Sequence, residues 1–367
     1  MSFPVFTLLL CSIGAVPVYW ILHRAGFEFI AEHSVYVLTF LVLYMLSPMT
    51  ALWVGATAVI APVLMLVGDR FGCRGMITLM WLVILVSVFE WTRHLHEYLW
   101  IGFAYFTLRH VHVLIDWWTG RGENPGIIKH MQYQLFLPVM IAGPIHRYPH
   151  FRRQLARRHW DTARFYTGAE RALFGIGQAV IFGEYMMVKL LRVVELKSSG
   201  WENLFLIQWL TSALEWVQLF LIFSGINAAA IGISLMLGIR IEENFNRPWR
   251  ARHLLDFWAR WHMTLSSFCR DYVFQPVLAV TRSPVLGVLT AMLAMGLWHG
   301  TSLYFLVWGV WQALGIIVTH VVLHFYGLIE KPKPIRVFLN RVIMLTGPLL
   351  VLAWLSFAQP LIGLILK

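Results

Sequence analysis

Long apolar runs recur along the chain from Phe3 to Leu366, and no polar stretch between them is long enough to fold as a separate domain. Hydrophobic residues make up 59% of the 367 residues and charged residues only 13%, and the mean hydropathy is +0.68, which is typical of integral membrane proteins. A bilayer offers no partner for backbone polar groups, so runs of roughly 20 apolar residues predict spanning helices. We therefore predict one membrane-embedded domain, residues 1–367, with an all-α polytopic fold.

The apolar runs predict about ten or eleven transmembrane helices. They lie near residues 3–22, 35–67 (in two pieces, broken around Pro48 and Pro62), 76–92, 97–118, 165–195, 203–222, 226–239, 284–297, 303–327 and 337–365. No basic residue precedes the first run, which favours a span over a cleaved signal peptide.

Two further segments are helical or apolar without being spans. Residues 134–145 contain two prolines and are too short to cross a bilayer, which indicates a re-entrant segment. Residues 254–275 combine aromatic residues and charges at helical spacing. They predict one amphipathic interfacial helix with Trp258, Trp261 and His262 on the same face.

Basic residues outnumber acidic ones, 29 to 18, and arginine accounts for most of the excess. The charge lies in short loops between the apolar runs, which argues against nucleic acid binding. The densest loop, residues 147–164, is predicted on the cytoplasmic side by the positive-inside rule. The arginines are interpreted either as ligands for phosphate or carboxylate groups or as topology signals that also contact anionic membrane lipids.

Two histidines, His262 and His299, lie next to tryptophans in sequence apolar enough to be buried in a membrane, where a polar side chain is costly. His299 lies in the segment GLWHG, whose glycines permit close approach of a ligand or a backbone. Imidazole titrates at about pH 6.5, so His299 is predicted to accept a hydroxyl proton as a general base. His262 is expected to position a substrate or to share that proton. The alternative for His299 is a structural histidine bonded to a backbone carbonyl. The alternative for His262 is a histidine at the membrane interface.

The loop ENFNRPWR precedes the expected amphipathic helix and presents amide and guanidinium groups. Asn244, Asn246, Arg247 and Arg250 are predicted to hold the phosphates or the pantetheine amides of an acyl carrier. The alternative is a basic loop that contacts lipid headgroups.

Other chemistries find little support in the sequence. The three cysteines lie far apart, so neither a disulfide framework nor a metal site is predicted, and the one metal alternative combines His110 or His112 with Asp116. P-loop, GxSxG, HExxH and GxGxxG motifs do not occur in a workable context. No Cys or Ser adjoins a histidine in a nucleophile setting, so no protein-bound acyl intermediate is expected. The chemistry that the sequence still favours is general-base catalysis by a histidine within a membrane.

Four segments, in order, resemble the membrane-bound O-acyltransferase family, in the branch of bacterial alginate O-acetylases and teichoic acid D-alanyltransferases. They fall within residues 97–311 and read WIGFAYFTLRHVHVLID, FLPVMIAGPIHRY, FSGINAAAIGISLMLGI, and ENFNRPWRARHLLDFWARWHMTLSSFCRDYVFQP followed by GLWHG. The resemblance implies a helical bundle around a central tunnel, with a cytoplasmic funnel for the acyl donor and an outer opening for the acceptor. In that family pattern His299 matches the principal catalytic histidine and His262 the second one. Trp258, Trp261 and Trp298 would line the neck between them.

The activity implied by the resemblance is transfer of an acyl group, with acetyl expected, to hydroxyls of an extracytoplasmic polysaccharide or glycan. Acetyl-CoA or an acyl carrier protein thioester would be the substrate, with no bound cofactor or metal. We expect a bacterial inner-membrane location and a periplasmic or membrane partner from the same pathway. Two alternatives stay open: a D-alanyl or longer-acyl transferase that uses a carrier protein, and a non-catalytic component that passes an acyl group or polymer to a partner.

The chain departs from this branch in two respects. Relatives typically carry Asp before FSG and Tyr-x-Asp after it, whereas this chain has Ile222 before it and Ile226, Asn227 and Ala228 after it. The sequence also looks short at both ends, so peripheral helices of relatives are expected to be missing.

Overall fold

The computed structural model describes residues 3–94, 102–140, 142–198, 200, 204–328 and 333–365, and every regular element in these residues is helical, which confirms the all-α class. The α-helices are α1 Phe3–Arg24, α2 Glu28–Leu46, α3 Pro48–Phe71, α4 Arg74–His94, α5 Phe103–Trp118, α6 Ile127–Gln134, α7 Tyr148–Ala156, α8 Thr162–Gly177, α9 Met187–Lys197, α10 Phe205–Met236, α11 Leu254–Trp258, α12 Met263–Cys269, α13 Gln275–Thr281, α14 Pro284–His299, α15 Leu303–Leu328 and α16 Lys333–Ile365. Short 3₁₀ turns lie at Leu137–Val139 and Pro248–Arg250, and π-helical stretches at Gln178–Met186 and Arg270–Phe274.

Seven helices within the described residues are long and apolar enough to cross a membrane, so the chain is a multi-pass membrane protein. The spans are Pro4–Arg24, Glu28–Leu46, Pro48–Phe71, Arg74–Thr92, Phe205–Met236, Leu303–Phe325 and Val342–Leu364. This number is lower than the ten or eleven expected from sequence. One reason is length, because α5 and α14 each have only 16 residues. The predicted helix 165–195 is present as a continuous run of α8, the π-helical stretch and α9, but it is not among the candidate spans.

A second reason is that residues 203–222 and 226–239, predicted as separate helices, form the single 32-residue helix α10, so that prediction was wrong. The glycines of the FSGINAAAIG segment serve packing instead of ending the helix. A Cβ atom at Gly232 would lie 2.6 Å from the backbone nitrogen of Ala172 in α8, and one at Gly175 would lie 2.6 Å from that of Ala229. Small residues at these positions therefore let α8 and the C-terminal part of α10 approach closely.

The prolines of the second and third spans behave differently. Ser47 accepts a hydrogen bond from the backbone N–H of Thr50, and Pro48 lies in the first turn of α3, so the predicted break at Pro48 is confirmed. Pro62 lies inside α3 without ending it, contrary to expectation. Its carbonyl oxygen accepts a hydrogen bond from Asn124 Nδ2 at 2.8 Å.

The described residues separate into two units. The first unit contains the residues up to Gly177 together with Gly225–Glu242, and the second contains Gln178–Ser224 and the residues from Glu243 onwards. Helix α10 therefore contributes residues to both units.

In the first unit a buried arginine supports the segment that was predicted as re-entrant. Arg109 is 1% exposed and donates hydrogen bonds to the carbonyl oxygens of Tyr133 at 3.2 Å and Gln134 at 3.1 Å. These residues end α6, so the guanidinium group satisfies carbonyls that lack a partner within the helix. The described residues of 134–145 that follow are mostly buried and irregular, as expected for backbone that is tolerated only against protein.

In the second unit the predicted amphipathic helix over 254–275 is not continuous, so that prediction was wrong. The chain forms α11, bends at residues 259–262, and resumes as α12. His262 has φ 43° and ψ 52°, which is a left-handed conformation, and it precedes α12 instead of lying on a helix face. The cause is a set of hydrogen bonds to a residue 18 positions earlier, which helical periodicity does not report.

Candidate active site

The bend before α12 is held by Asn244, which is fully buried. The Asn244 side-chain oxygen Oδ1 accepts hydrogen bonds from His262 Nδ1 at 3.1 Å, from the Thr264 backbone nitrogen at 3.1 Å and from Thr264 Oγ1 at 2.8 Å. The Asn244 carbonyl accepts a fourth from the Met263 backbone at 2.9 Å. One asparagine therefore fixes the start of α12 and the orientation of the His262 ring.

These bonds also determine the tautomer of His262. The Thr264 backbone N–H can only donate, so the Asn244 atom that it contacts is assigned as the oxygen. The same oxygen faces Nδ1 of His262, which must then carry the proton. In the neutral ring the lone pair is left on Nε2, so His262 offers a nitrogen that accepts a hydrogen bond or a proton.

His262 is 3% exposed. Burial, followed by the nearby His299, lowers the pKa of His262 to about 3. The ring is therefore neutral at pH 7.

His299 is the last residue of α14 and is exposed. Its ring lies among aromatic side chains, with centroid distances of 4.8 Å to Trp298, 5.5 Å to Trp308 and 6.1 Å to Phe305, on which it stacks at 19°. The Trp298 ring also lies 5.9 Å from the His262 ring. The structure thus brings the two predicted catalytic histidines into contact with one tryptophan.

The glycines of GLWHG are explained by the tight turn between α14 and α15. A Cβ atom at Gly296 would collide with the carbonyl oxygen of Phe305, and a Cβ at Gly300 would collide with the Phe305 ring. The Gly300 N–H donates to the carbonyl of Gly296 at 3.0 Å, which ends α14 at His299. These glycines therefore hold His299 at the tip of a helical hairpin.

The three predicted wall tryptophans occupy different positions. Trp298 contacts both histidine rings, as described above. Trp258 is 7% exposed and packs at 6.0 Å on Trp308, so it approaches His299 through that residue. Trp261 is 6% exposed and stacks on Phe257 at 5.4 Å, the same ring that Trp258 contacts, so it lies behind Trp258 and not beside a histidine ring.

Two aromatic neighbours of His299, Phe305 and Trp308, were missed at the level of sequence. Both lie in the first two turns of α15, within ten residues of His299. The available signal was the aromatic content of LYFLVW directly after GLWHG, which resembles an ordinary interfacial belt.

The remaining loop residues lie at the surface. Asn246, Arg247 and Arg250 are exposed, and neither arginine forms an ion pair with a described residue. The loop is anchored by its backbone, because Asn246 N–H donates to the Arg260 carbonyl at 2.9 Å and Arg260 donates back to the Asn246 carbonyl at 3.3 Å. Of the four residues predicted to bind the acyl donor, Asn244 is therefore buried and the other three are exposed at the surface.

His112 and Asp116, considered as metal ligands with His110, interact with each other in the first unit. His112 Nδ1 lies 3.3 Å from Asp116 Oδ2, and its Nε2 lies 2.9 Å from the Tyr133 hydroxyl. Among the described residues no cluster of three or more His, Cys, Asp or Glu side chains is arranged to hold a metal ion.

The unusual residues around FSG lie in apolar packing. Ile222 faces Gly183 of the π-helical stretch, where an added Cβ would lie 2.5 Å from Ile222 Cγ1. Ile226 is 8% exposed and Asn227 2% exposed. An isoleucine in place of an acid at 222 therefore serves helix packing here.

Comparison of the sequence with known proteins identifies a family and several relatives. A family model for the membrane-bound O-acyltransferases matches residues 75–355. The chain is 28% identical over 268 residues to a probable alginate O-acetylase of Pseudomonas syringae pv. tomato, covering 71% of this chain and 49% of that protein. It is 28% identical over 233 residues to a teichoic acid D-alanyltransferase of Bacillus subtilis, covering 58% and 57%. It is 28% identical over 274 residues to a peptidoglycan O-acetyltransferase of Helicobacter pylori, covering 64% and 50%. The chain spans about half the length of the curated relatives it matches.

Proposed function

The chain belongs to the membrane-bound O-acyltransferase family, and on that premise we propose that it moves an acyl group, with acetyl preferred, from a cytoplasmic thioester to a hydroxyl of a polysaccharide or glycan outside a bacterial inner membrane. Three relatives are named for transfer to alginate, teichoic acid and peptidoglycan, which supports a cell-envelope polymer as acceptor. The observation that carries the proposal is the contact of both His262 and His299 with the ring of Trp298.

His299 acts as the general base in this proposal. Its ring removes the proton of the acceptor hydroxyl while the oxygen attacks the thioester carbonyl, and the departing thiolate then takes that proton back from the imidazolium. Proton count and charge balance without a covalent acyl-enzyme. The C-terminal end of a helix carries a partial negative charge, so the position of His299 at the end of α14 favours the imidazolium that forms. Its exposure leaves room for a substrate.

His262 orients the acceptor. Because Asn244 holds the proton on Nδ1, the Nε2 lone pair of His262 can accept a hydrogen bond from a second hydroxyl of the acceptor, while the reacting hydroxyl donates to His299. A neutral ring suits this role, and its buried setting keeps it neutral. Trp298 supplies apolar surface beside both imidazoles.

The donor is bound as a substrate and not as a resident cofactor. The exposed guanidinium groups of Arg247 and Arg250 and the exposed Asn246 suit the phosphates and amides of coenzyme A or of a carrier-protein pantetheine arm. The short 3₁₀ turn Pro248–Arg250 holds both arginines in one loop.

The test uses the purified full chain in nanodiscs with acetyl-labelled acetyl-CoA and envelope glycans. We expect His299→Ala to lower transfer by about 100-fold or more, the usual size of a general-base effect. His262→Ala should lower it by about 10-fold or more at an unchanged melting temperature. The matched control is His320→Ala, which removes an exposed histidine from α15 and should leave transfer unchanged. Full transfer by His299→Ala would rule out the base assignment.

The same assay separates the alternatives. The similarity to teichoic acid D-alanyltransferases favours D-alanine on a carrier protein as the second candidate donor. Transfer from a D-alanyl carrier thioester with none from acetyl-CoA would establish that donor. Binding of glycan or carrier with transfer from neither thioester would support a non-catalytic membrane component.

A further inference from the structure

The second unit contains a cavity of about 560 Å³ that none of the predicted site residues lines. It lies between α9, α10 and α16, and its size falls within the range of small-molecule pockets. Its wall is formed by Leu191, Glu195, Ser198, Ile207, Gln208, Thr211, Ser212, Glu215, Gln359, Pro360, Gly363 and Leu364.

The polarity of this wall is unusual for its location. Helix α10 and residues 342–364 of α16 are candidate membrane spans. Glu215 is the sole charged residue in the 32 residues of α10. An acidic side chain inside a span is costly and is retained mostly for function. Glu215 forms no ion pair with a described residue, so it does not serve a salt bridge there.

The other polar groups of the wall form hydrogen bonds of the kind that sugars use. Ser212 Oγ donates to Gln359 Oε1 at 3.1 Å, which ties α10 to α16 across the cavity. Gln208 and Thr211 present an amide and a hydroxyl beside them. Together with the carboxyl groups these side chains can donate to and accept from several hydroxyls at once, while Pro360 and Leu364 give apolar surface for a sugar ring face.

The charge of the wall discriminates between ligands. Two lining residues, Glu195 and Glu215, are acidic, and none of the described residues that line the cavity is basic. The nearest basic residues on α9, Arg192 and Lys197, are exposed and lie outside the wall. Like-charge contacts are unfavourable, so phosphate and carboxylate groups are disfavoured here.

The cavity is next to the proposed catalytic hairpin. Glu215 interacts electrostatically with Tyr304, which lies in the first turn of α15. The adjacent Phe305 stacks on the His299 ring. The part of the cavity wall at Glu215 is therefore close to the first turn of α15, which follows His299 in the chain.

We infer that this cavity binds an uncharged sugar unit of the acceptor, and that the acceptor of this chain is a neutral glycan and not a uronate or phosphodiester polymer. The inference rests on the proposed function and adds the class of acceptor to it. It also sets this chain apart from the alginate and teichoic acid enzymes among its relatives, since those two polymers are anionic.

The experiment uses the full chain in nanodiscs, labelled acetyl-CoA, and glycans extracted from the envelope of the bacterium that encodes the chain. The extract is divided by anion exchange into a neutral and an acidic fraction, and the label in each is counted. We expect the label in the neutral fraction. Glu215→Lys should shift the ratio of neutral to acidic transfer by about 10-fold towards the acidic fraction, because it reverses one charge of the wall. Glu215→Gln, which keeps the shape, should shift it in the same direction by less.

The control is Glu184→Gln, which changes an acid of the same unit outside the cavity wall and should leave the ratio unchanged. Wild-type transfer to the acidic fraction would overturn the inference and leave the proposed function standing. Transfer to the neutral fraction with a ratio insensitive to Glu215 would overturn the assignment of the cavity. Absence of both transfer and His299-dependent thioester cleavage would end the proposed function, and the inference with it.

Discussion

Replacing Asn244 by alanine should both destabilise the second unit and disable His262. The side-chain oxygen of Asn244 is the acceptor for His262 Nδ1, for the Thr264 backbone nitrogen and for the Thr264 hydroxyl. In Asn244→Ala the hydroxyl can rotate to another acceptor, but two N–H donors remain buried. Each such donor costs about 1–3 kcal/mol, so the loss is about 2–6 kcal/mol. A shift of the ring by about 1 Å should also lower turnover by about 10- to 100-fold.

The measurements are the melting temperature in detergent and the rate of acetyl transfer per folded molecule. Nitrogen NMR of labelled histidine adds a direct readout, because the proton of His262 should lie on Nδ1 in the wild type and should redistribute in Asn244→Ala. The matched control is Asn246→Ala. That side chain is exposed and its loop is anchored through backbone atoms, so we expect little change in the melting temperature or in the transfer rate at saturating acetyl-CoA, where a weaker donor contact has no effect. Wild-type turnover per folded molecule in Asn244→Ala would refute the positioning argument, whatever the melting temperature.

Two further changes test other parts of the molecule. Gly300→Ala should lower the melting temperature because it forces a Cβ against the Phe305 ring, at a cost of about 1–3 kcal/mol. The control is Gly327→Ala, where an added Cβ meets no atom within 4 Å and the melting temperature should not change. Equal melting curves for the two variants would contradict the packing argument. A hydrogen bond to Glu242 raises the pKa of His150 in the folded protein. The His150–Glu242 pair therefore contributes its full stabilisation of the folded state below the unfolded pKa of about 6.5, and this contribution is lost as the pH rises through the higher folded pKa. Melting temperatures between pH 5 and 9 should show that loss in the wild type and not in Glu242→Gln; a matching pH profile would refute the pairing.

The class of fold and most spans were predictable because hydropathy is a local property. Apolar runs identified α1, α4, α14, α15 and α16 within a few residues, whereas α2 begins seven residues before the predicted region and α3 continues through Pro62. The division of α10 was predicted wrongly, although the small residues of 226–239 already indicated close helix packing. The structure adds the partner, because a Cβ atom at Gly232 would meet the backbone of α8.

The candidate site was predictable in its histidines and not in its geometry. A histidine in an apolar Trp-rich setting is conspicuous in a sequence, so His262 and His299 were identified. The break at residues 259–262 depends on Asn244, and a hydrogen bond between residues 18 apart leaves no periodic signal. For the same reason Asn244 was assigned to the acyl donor instead of to His262. Trp261 was grouped with Trp258 by helical spacing, and both do contact Phe257, but no contact between Trp261 and either histidine ring is recorded among the described residues.

The left-handed backbone of His262 has a consequence for engineering. A non-glycine residue in that conformation carries a cost of about 1 kcal/mol or more, which glycine would not bear. Asn244 would keep its two donors from Thr264 if the imidazole were absent. A screen for thermostability alone would therefore tend to replace this histidine by glycine, while a screen for activity would retain it. Opposite outcomes of the two screens at one position are the mark of a residue kept for chemistry at the expense of the fold.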